Sequence, residues 1–293
     1  MPSPCDPPAT TPSIGLFAVN MEPTIDPDAA ARLARLAEEL GFDSLWTGEH
    51  VVVPDPRRPP SPMAPAEPIG DPLITLAFIA AHTHRIRLGT GVIDLPQRNP
   101  LVLAKELATL DVLSRGRMIF GFGVGYLAPE LEAVGVPLES RGRRADEYLE
   151  AMVSLWTMAQ PRYQGHFVAF SGVNAYPRPI QRPVPVVVGG HGEAAFRRAA
   201  RVGHGWYGFL LDPDGAAQAV DALGTAVSEE GRPPEAGRLE VSVTPSLPLD
   251  PPTVARYATA GVDRLVLFPP KGLTSSELEG FLAAHAPARL VPG

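Results

Sequence analysis

Eight times along the chain an apolar, strand-like run gives way to an amphipathic helical one, and this alternation constrains the fold more than any other feature. The strands read as residues 13–20, 42–48, 85–93, 117–125, 184–190, 205–211, 239–245 and 262–268. The helices read as 26–41, 71–83, 99–116, 141–159, 193–203, 213–230, 251–260 and 274–286. The first helix shows the logic. Asp26 or Asp28 caps its start, Leu33, Leu36, Ala37 and Leu40 share a face, and Gly41 stops it. Several strands are apolar on both faces, "VPVVVGG" among them, as a parallel sheet covered by helices requires. Eight such units in 293 residues predict an α/β fold, a single-domain (β/α)8 TIM barrel over residues 13–293. A doubly wound open sheet is the structural alternative. Residues 160–183 break the alternation, and "RYQGHFVAF" within them reads as a small hairpin inserted after the fourth strand–helix unit.

Composition narrows the function classes. The net charge is −7 with both signs interspersed, so there is no basic stripe for nucleic acid and no polybasic patch for a membrane surface. No apolar run reaches the roughly 18 residues of a membrane span. The one cysteine, Cys5, excludes an intrachain disulfide and a multi-cysteine metal site. The first twelve residues, five of them proline, read as a disordered tail without the apolar core of a secretory signal. A cytoplasmic protein is expected. There is no G-x-S-x-G elbow, no phosphate-binding G-x-x-x-x-G-K-[ST] loop and no H-E-x-x-H pair, and no metal site is expected.

In a barrel the chemistry gathers at the C-terminal ends of the strands. Those ends carry Asn20; Thr47, Glu49 and His50; Thr90, Gly91, Val92 and Asp94; Gly123, Gly125 and Tyr126; Gly189, Gly190, His191 and Gly192; Trp206 and Tyr207; Thr244; and Lys271. His50 stands out because an imidazole titrates near neutrality and can give or take a proton. Its plainer reading is a cap on a loop carbonyl. Glu49 and His50 are neighbours in an extended segment, so they point to opposite sides. The glycine-rich turn 189–192 precedes a helix whose free N–H groups suit a phosphate, or it is an ordinary turn in which glycine supplies positive φ. "GFGVGY" lacks the spacing of a dinucleotide fingerprint, and its glycines leave room for something flat above the barrel. Residues 54–72 hold eight prolines, a long loop of the kind that often shapes a binding pocket.

Four stretches together resemble the luciferase-like monooxygenase superfamily, most closely its actinobacterial branch that uses the deazaflavin coenzyme F420. They are "GFDSLWTGEHVVVP", "RIRLGTGVIDLPQRNPLVLAKELATLDVLSRGRMIFGFGVGYL", "EAVGVPLESRGRRADEYLEAMVSLW" and "RPVPVVVGGHGEAAFRRAARVGHGWY". The resemblance implies a flat ring across the barrel mouth, with its phosphate near Gly189, Gly190, His191 and Gly192. It implies a non-proline cis peptide at Gly91–Val92 behind the ring. It places Glu49 beside the ring and assigns His50 to proton transfer, while their strand-end positions make Asn20, Thr90, Gly123, Gly125 and Trp206 further candidates for cofactor contact, Trp206 also for a wall of the substrate site. Some deazaflavin dehydrogenases carry a catalytic glutamate where this chain has Tyr126, which here donates a hydrogen bond or lines the pocket. The expected activity is F420H2-dependent hydride transfer to a C=C or C=N bond of a small organic substrate. The alternative is an FMNH2-dependent monooxygenase that uses O2 and a separate flavin reductase, and a third reading is a cofactor-binding protein that has lost catalysis. A homodimer is expected, with a flavin or F420 reductase as supplier.

Overall fold

The computed structural model describes residues 11–291. Of the tail expected at 1–12, residues 1–10 lie outside that range. Eight strands of the nine-stranded main sheet form the barrel, the ninth being the two-residue Ile93–Asp94: β1 (Ser13–Leu16), β2 (Ser44–Thr47), β3 (Arg87–Thr90), β4 (Met118–Gly123), β5 (Val186–Gly189), β6 (Gly205–Leu211), β7 (Glu240–Pro245) and β8 (Arg264–Leu267). Each pairs in parallel with the next, and β8 returns to β1 with Ile14 opposite Leu265, so the sheet closes into a barrel. The eight covering helices are α1 (Pro27–Glu39), α2 (Pro72–His82), α3 (Pro100–Leu113), α4 (Arg141–Thr157), α5 (Glu193–Val202), α6 (Pro213–Glu230), α7 (Pro251–Thr259) and α8 (Ser275–Ala284). The open-sheet alternative is thereby set aside. The hairpin Tyr163–Gln164 with Ala169–Phe170 forms a separate antiparallel pair after α4, where the insertion was expected. No helix among the described residues is long and apolar enough to cross a membrane.

The strand-to-helix turns are chemically specified. Asp26, Asp71, Asn99, Asp212, Asp250 and Thr274 each accept a hydrogen bond from a first-turn N–H of the helix they precede. Each such cap is worth about 1 kcal/mol. Proline follows the cap in all but the last of these, where its fixed φ suits the first helical position. α4 and α5 have no side-chain cap.

The core has two layers. Leu33, Leu45, Leu76, Leu88, Leu107 and Leu149 belong to the outer layer between sheet and helices. Inside the barrel, Phe17, Trp46, Ile119, Val187, Tyr207 and Val266 make a second cluster. Trp46 stacks on Tyr207 at 5.4 Å and occupies the space a side chain on Gly89 would need. Below it lies Arg264, 3% exposed, which binds Asp43 at 2.6 Å, Ser242 at 3.1 Å and Glu240, with its guanidinium 5.8 Å from the Trp46 ring. The barrel is therefore filled, and room for chemistry remains only at its C-terminal mouth.

Candidate active site

β2 delivers His50 to the mouth. Its Nδ1 lies 2.8 Å from Oε2 of Glu130, and Oε1 of the same carboxylate accepts the Val51 N–H at 2.5 Å. Glu130 sits on a short helix, Ala128–Ala133, that follows β4, and is 1% exposed. Burial opposes charge on His50, but the bonded Glu130 carboxylate, with Asp94 and Glu49 nearby, outweighs it and raises the imidazole above its ordinary value. Tyr126 stands edge-on to the His50 ring at 6.1 Å and is 53% exposed. Burial, Asp94 and Glu130 raise its phenol further, so it stays protonated and can donate.

Glu49 turns away from His50. Its Oε2 accepts the Asp94 N–H at 2.7 Å and its Oε1 accepts from Nε of Arg98 at 2.7 Å, while Arg98 also reaches Asp71 at 2.6 Å. Burial lifts the Glu49 carboxyl, and Arg98 pulls the other way. Asn20 is likewise closed off. Its Nδ2 donates to the carbonyls of Gly48 (2.8 Å) and Gly70 (2.6 Å), and its Oδ1 accepts the Gly48 N–H at 3.1 Å. Thr90 exchanges hydrogen bonds with Gly121, donating at 2.6 Å and accepting at 2.9 Å. Trp206 is buried and donates Nε1–H to the Gly190 carbonyl at 2.8 Å. All four side chains are engaged with groups of the protein itself. Asn20 pins the start of the proline-rich loop, Glu49 anchors Arg98, Thr90 ties β3 to β4, and Trp206 holds the glycine turn.

The floor of the mouth is apolar. The Gly91–Val92 peptide is cis, as the resemblance implied. The Val92 side chain lies where side chains on Gly123 and Gly189 would begin, 2.9 and 2.8 Å from their ideal Cβ positions. Those glycines therefore make room for Val92 rather than for an open slot. Phe17, Phe209 and Phe268, from the ends of β1, β6 and β8, touch one another at centroid distances of 5.3, 5.3 and 5.8 Å. Ala18 and Leu210 follow the first two at φ of 66° and 55°, a backbone region that non-glycine residues enter at some cost and that gathers at functional sites. A cavity of about 210 Å³ opens beside this cluster, lined by Phe17, Ala18, Met21, Glu67, Phe268 and Lys271. A larger one, about 760 Å³, lies at the other end of β5 near Trp156, Val184 and His204, away from His50.

The glycine turn after β5 is open. Gly190, His191 and Gly192 are exposed, Gly190 has φ of 123°, and nothing stands within 4 Å of where a side chain on Gly192 would begin. No side chain caps the start of α5, whose first residue is Glu193, and the Ala195 and Phe196 N–H groups bond the Gly192 carbonyl at 2.8 and 3.1 Å. His191 does not reach toward it through Nε2, which accepts the Phe209 N–H at 2.9 Å. Burial keeps that ring below the ordinary imidazole value, which suits an acceptor.

Sequence reasoning found His50 and missed its partner. Glu130 lies 80 residues away on a helix too short to show periodicity, and its one signal is an acid inside the apolar "YLAPEL" run. The aromatic trio and Arg98 were missed for the same reason, because each meets its partners only across the mouth.

The luciferase-like monooxygenase family model matches residues 10–285. An uncharacterized protein of Mycobacterium tuberculosis is 35% identical over 263 residues, 86% of this chain and 90% of that protein. An F420-dependent glucose-6-phosphate dehydrogenase of Kineococcus radiotolerans is 36% identical over 184 residues, 61% of this chain and 52% of the relative's length. Among solved structures, the monooxygenase RslO1 from Streptomyces bottropensis superposes with a TM-score of 0.65 at 28% identity, covering 94% of this chain and 79% of that one.

Proposed function

This chain belongs to the luciferase-like monooxygenase family and is an F420- or flavin-dependent oxidoreductase, and from that premise we propose that it uses reduced F420 to reduce a C=C or C=N bond of a small organic substrate. The observation that carries the reading is the His50–Glu130 pair at the barrel mouth. Glu130 engages Nδ1, which leaves Nε2 as the ring nitrogen able to deliver a proton. The residues present fit a flat cofactor with a phosphate. The open Gly190–Gly192 turn and uncapped α5 offer backbone donors to the phosphate, and the Val92 side chain, set over Gly123 and Gly189, offers an apolar wall to the ring. When bound, the reduced deazaflavin supplies the electron pair as hydride. His50 supplies the proton, so the double bond gains two electrons and two hydrogens. Tyr126 donates a hydrogen bond beside it, and Phe17, Phe209 and Phe268 keep water from the floor.

The similarity to the monooxygenase RslO1 favours a second reading, FMNH2-dependent oxygenation supplied by a separate flavin reductase. Oxygen separates the two, because a hydride transfer to carbon needs none. Under the F420 reading, reduced F420 is consumed anaerobically with an unsaturated or imine substrate from a screening panel, at a rate unchanged by admitting air. Turnover seen only with reduced FMN and stoichiometric uptake of O2 would replace it with the second reading.

A further inference from the structure

The larger cavity, about 760 Å³, takes no part in the reaction above and opens where β5 begins, away from His50. Its volume falls in the roughly 300–1,000 Å³ range of small-molecule pockets. One wall is α4, where Leu149, Val153 and Trp156 recur at helical spacing. The facing wall is the segment "YPRPIQRPVP" (176–185), which leads from the hairpin insertion to β5. Prolines at 177, 179, 183 and 185 fix φ and carry no N–H, so this wall joins neither helix nor sheet. α3 holds it from behind. The fully buried Asp111 carboxylate accepts the Ile180 and Gln181 N–H groups at 2.6 and 3.0 Å and Nε2 of Gln181 at 2.7 Å. Nζ of Lys105 donates to the Tyr176 carbonyl. The wall is therefore hung on α3, and the cavity remains between it and α4.

The polar side chains of the lining are one-sided. Glu150 is its one acid, and Oε2 of that carboxylate accepts the Tyr163 hydroxyl at 2.7 Å. The Thr157 hydroxyl is bound to the Val153 carbonyl at 2.7 Å, and Gln181 to Asp111 and Met118. Donors are left over. Arg178 fixes Nη2 on the Met158 carbonyl at 2.7 Å and on Asn174 at 2.8 Å, while its Nε is buried without a partner. Arg182 is exposed and in no salt bridge among the described residues. Nδ1 of His204 accepts the Val186 N–H at 3.1 Å, so the neutral ring carries its proton on Nε2 and donates there.

We infer that this cavity is a second small-molecule site, one for an amphipathic carboxylate: the apolar body lies among Leu149, Trp156, Val184 and Val202, and the carboxylate meets the donors of Arg178, Arg182 and His204. A carboxylate only accepts, so it answers an excess of donors, and its bond to a guanidinium is of the strong, charge-assisted kind. The site is independent of the chemistry at the mouth and of either cofactor.

The test is calorimetric titration of the full-length chain with octanoate, with 1-octanol as the uncharged control. The inference expects saturable binding of octanoate, at least ~10-fold tighter than octanol, as one charge-assisted bond provides. Arg182→Glu reverses a charge on the lining and should weaken octanoate by about 10-fold or more. Val153→Trp fills the space and should abolish binding. Both positions are exposed, Val153 at 40%, so both variants are expected to keep the fold, which a thermal melt checks. Absence of saturable binding, octanol binding as tightly as octanoate, or octanoate affinity unchanged in either folded variant overturns the inference. The measurement uses neither cofactor nor substrate, so its failure leaves the F420 reading standing.

Discussion

His50→Asn is expected to lose about 10²–10⁴-fold in turnover while keeping its fold and its affinity for cofactor, the range typical of removing a positioned acid–base group. Asparagine places an N–H close to where Nδ1 stands, so the Glu130 carboxylate keeps a donor and is not left alone in a buried position. Alanine would confuse the two effects, because an unpartnered buried carboxylate is itself destabilising. The loss should fall on kcat, since the proton is needed in the transition state and not for binding. Single-turnover oxidation of bound reduced cofactor by an identified substrate measures it. A His50→Asn enzyme that turns over like wild type would remove His50 from the mechanism and leave Tyr126 as the remaining donor at the mouth.

Arg264→Leu should lower stability by about 3 kcal/mol, the low end of the roughly 3–5 kcal/mol for breaking a buried ion pair. Arg264 is 3% exposed and ties β8 to Glu240 and Ser242 of β7 and to Asp43 before β2. Leucine fills part of the volume beneath Trp46 but leaves both carboxylates without their cation. Their side chains keep 29% and 37% exposure, so water can recover part of the loss, which is why the low end applies. The thermal midpoint should drop by roughly 6–12 °C for a chain of this size. A drop of only a degree or two would mean that the cluster behaves as a surface pair and that the interior packing of Trp46 and Tyr207 carries the barrel.

The barrel was legible because its signals are local. Strands covered on both faces read as apolar runs, and an Asp or Asn followed by proline marks the start of five of the eight helices. Most strands came out shorter than read, the sixth alone matching at Gly205–Leu211. β1, for example, stops at Leu16 rather than at residue 20, where Ala18 turns to positive φ and Asn20 folds back on Gly48. The site was legible in its location and not in its directions. A strand end says that a residue is at the mouth, but the pleat and the turn decide whether its side chain faces a ligand. Asn20, Glu49, Thr90 and Trp206 turn out buried and bonded to the protein's own groups, and His50 turns out paired with Glu130. The partners that give His50 its character are Glu130, 80 residues on, and Asp94, across a different strand. No local pattern ties such positions together before the barrel closes.

The central claim is that the mouth between His50 and the Gly190–Gly192 turn holds a flat, phosphate-bearing cofactor, and that this cofactor is F420. Anaerobic titration of the purified chain with F420 and with FMN, each oxidised and reduced and followed by fluorescence or calorimetry, tests it most directly. Saturable binding of F420, tighter than that of FMN in the same redox state, is the predicted result. Tighter binding of reduced FMN would contradict the deazaflavin assignment, and binding of neither would contradict the placement of the phosphate at the N-terminus of α5.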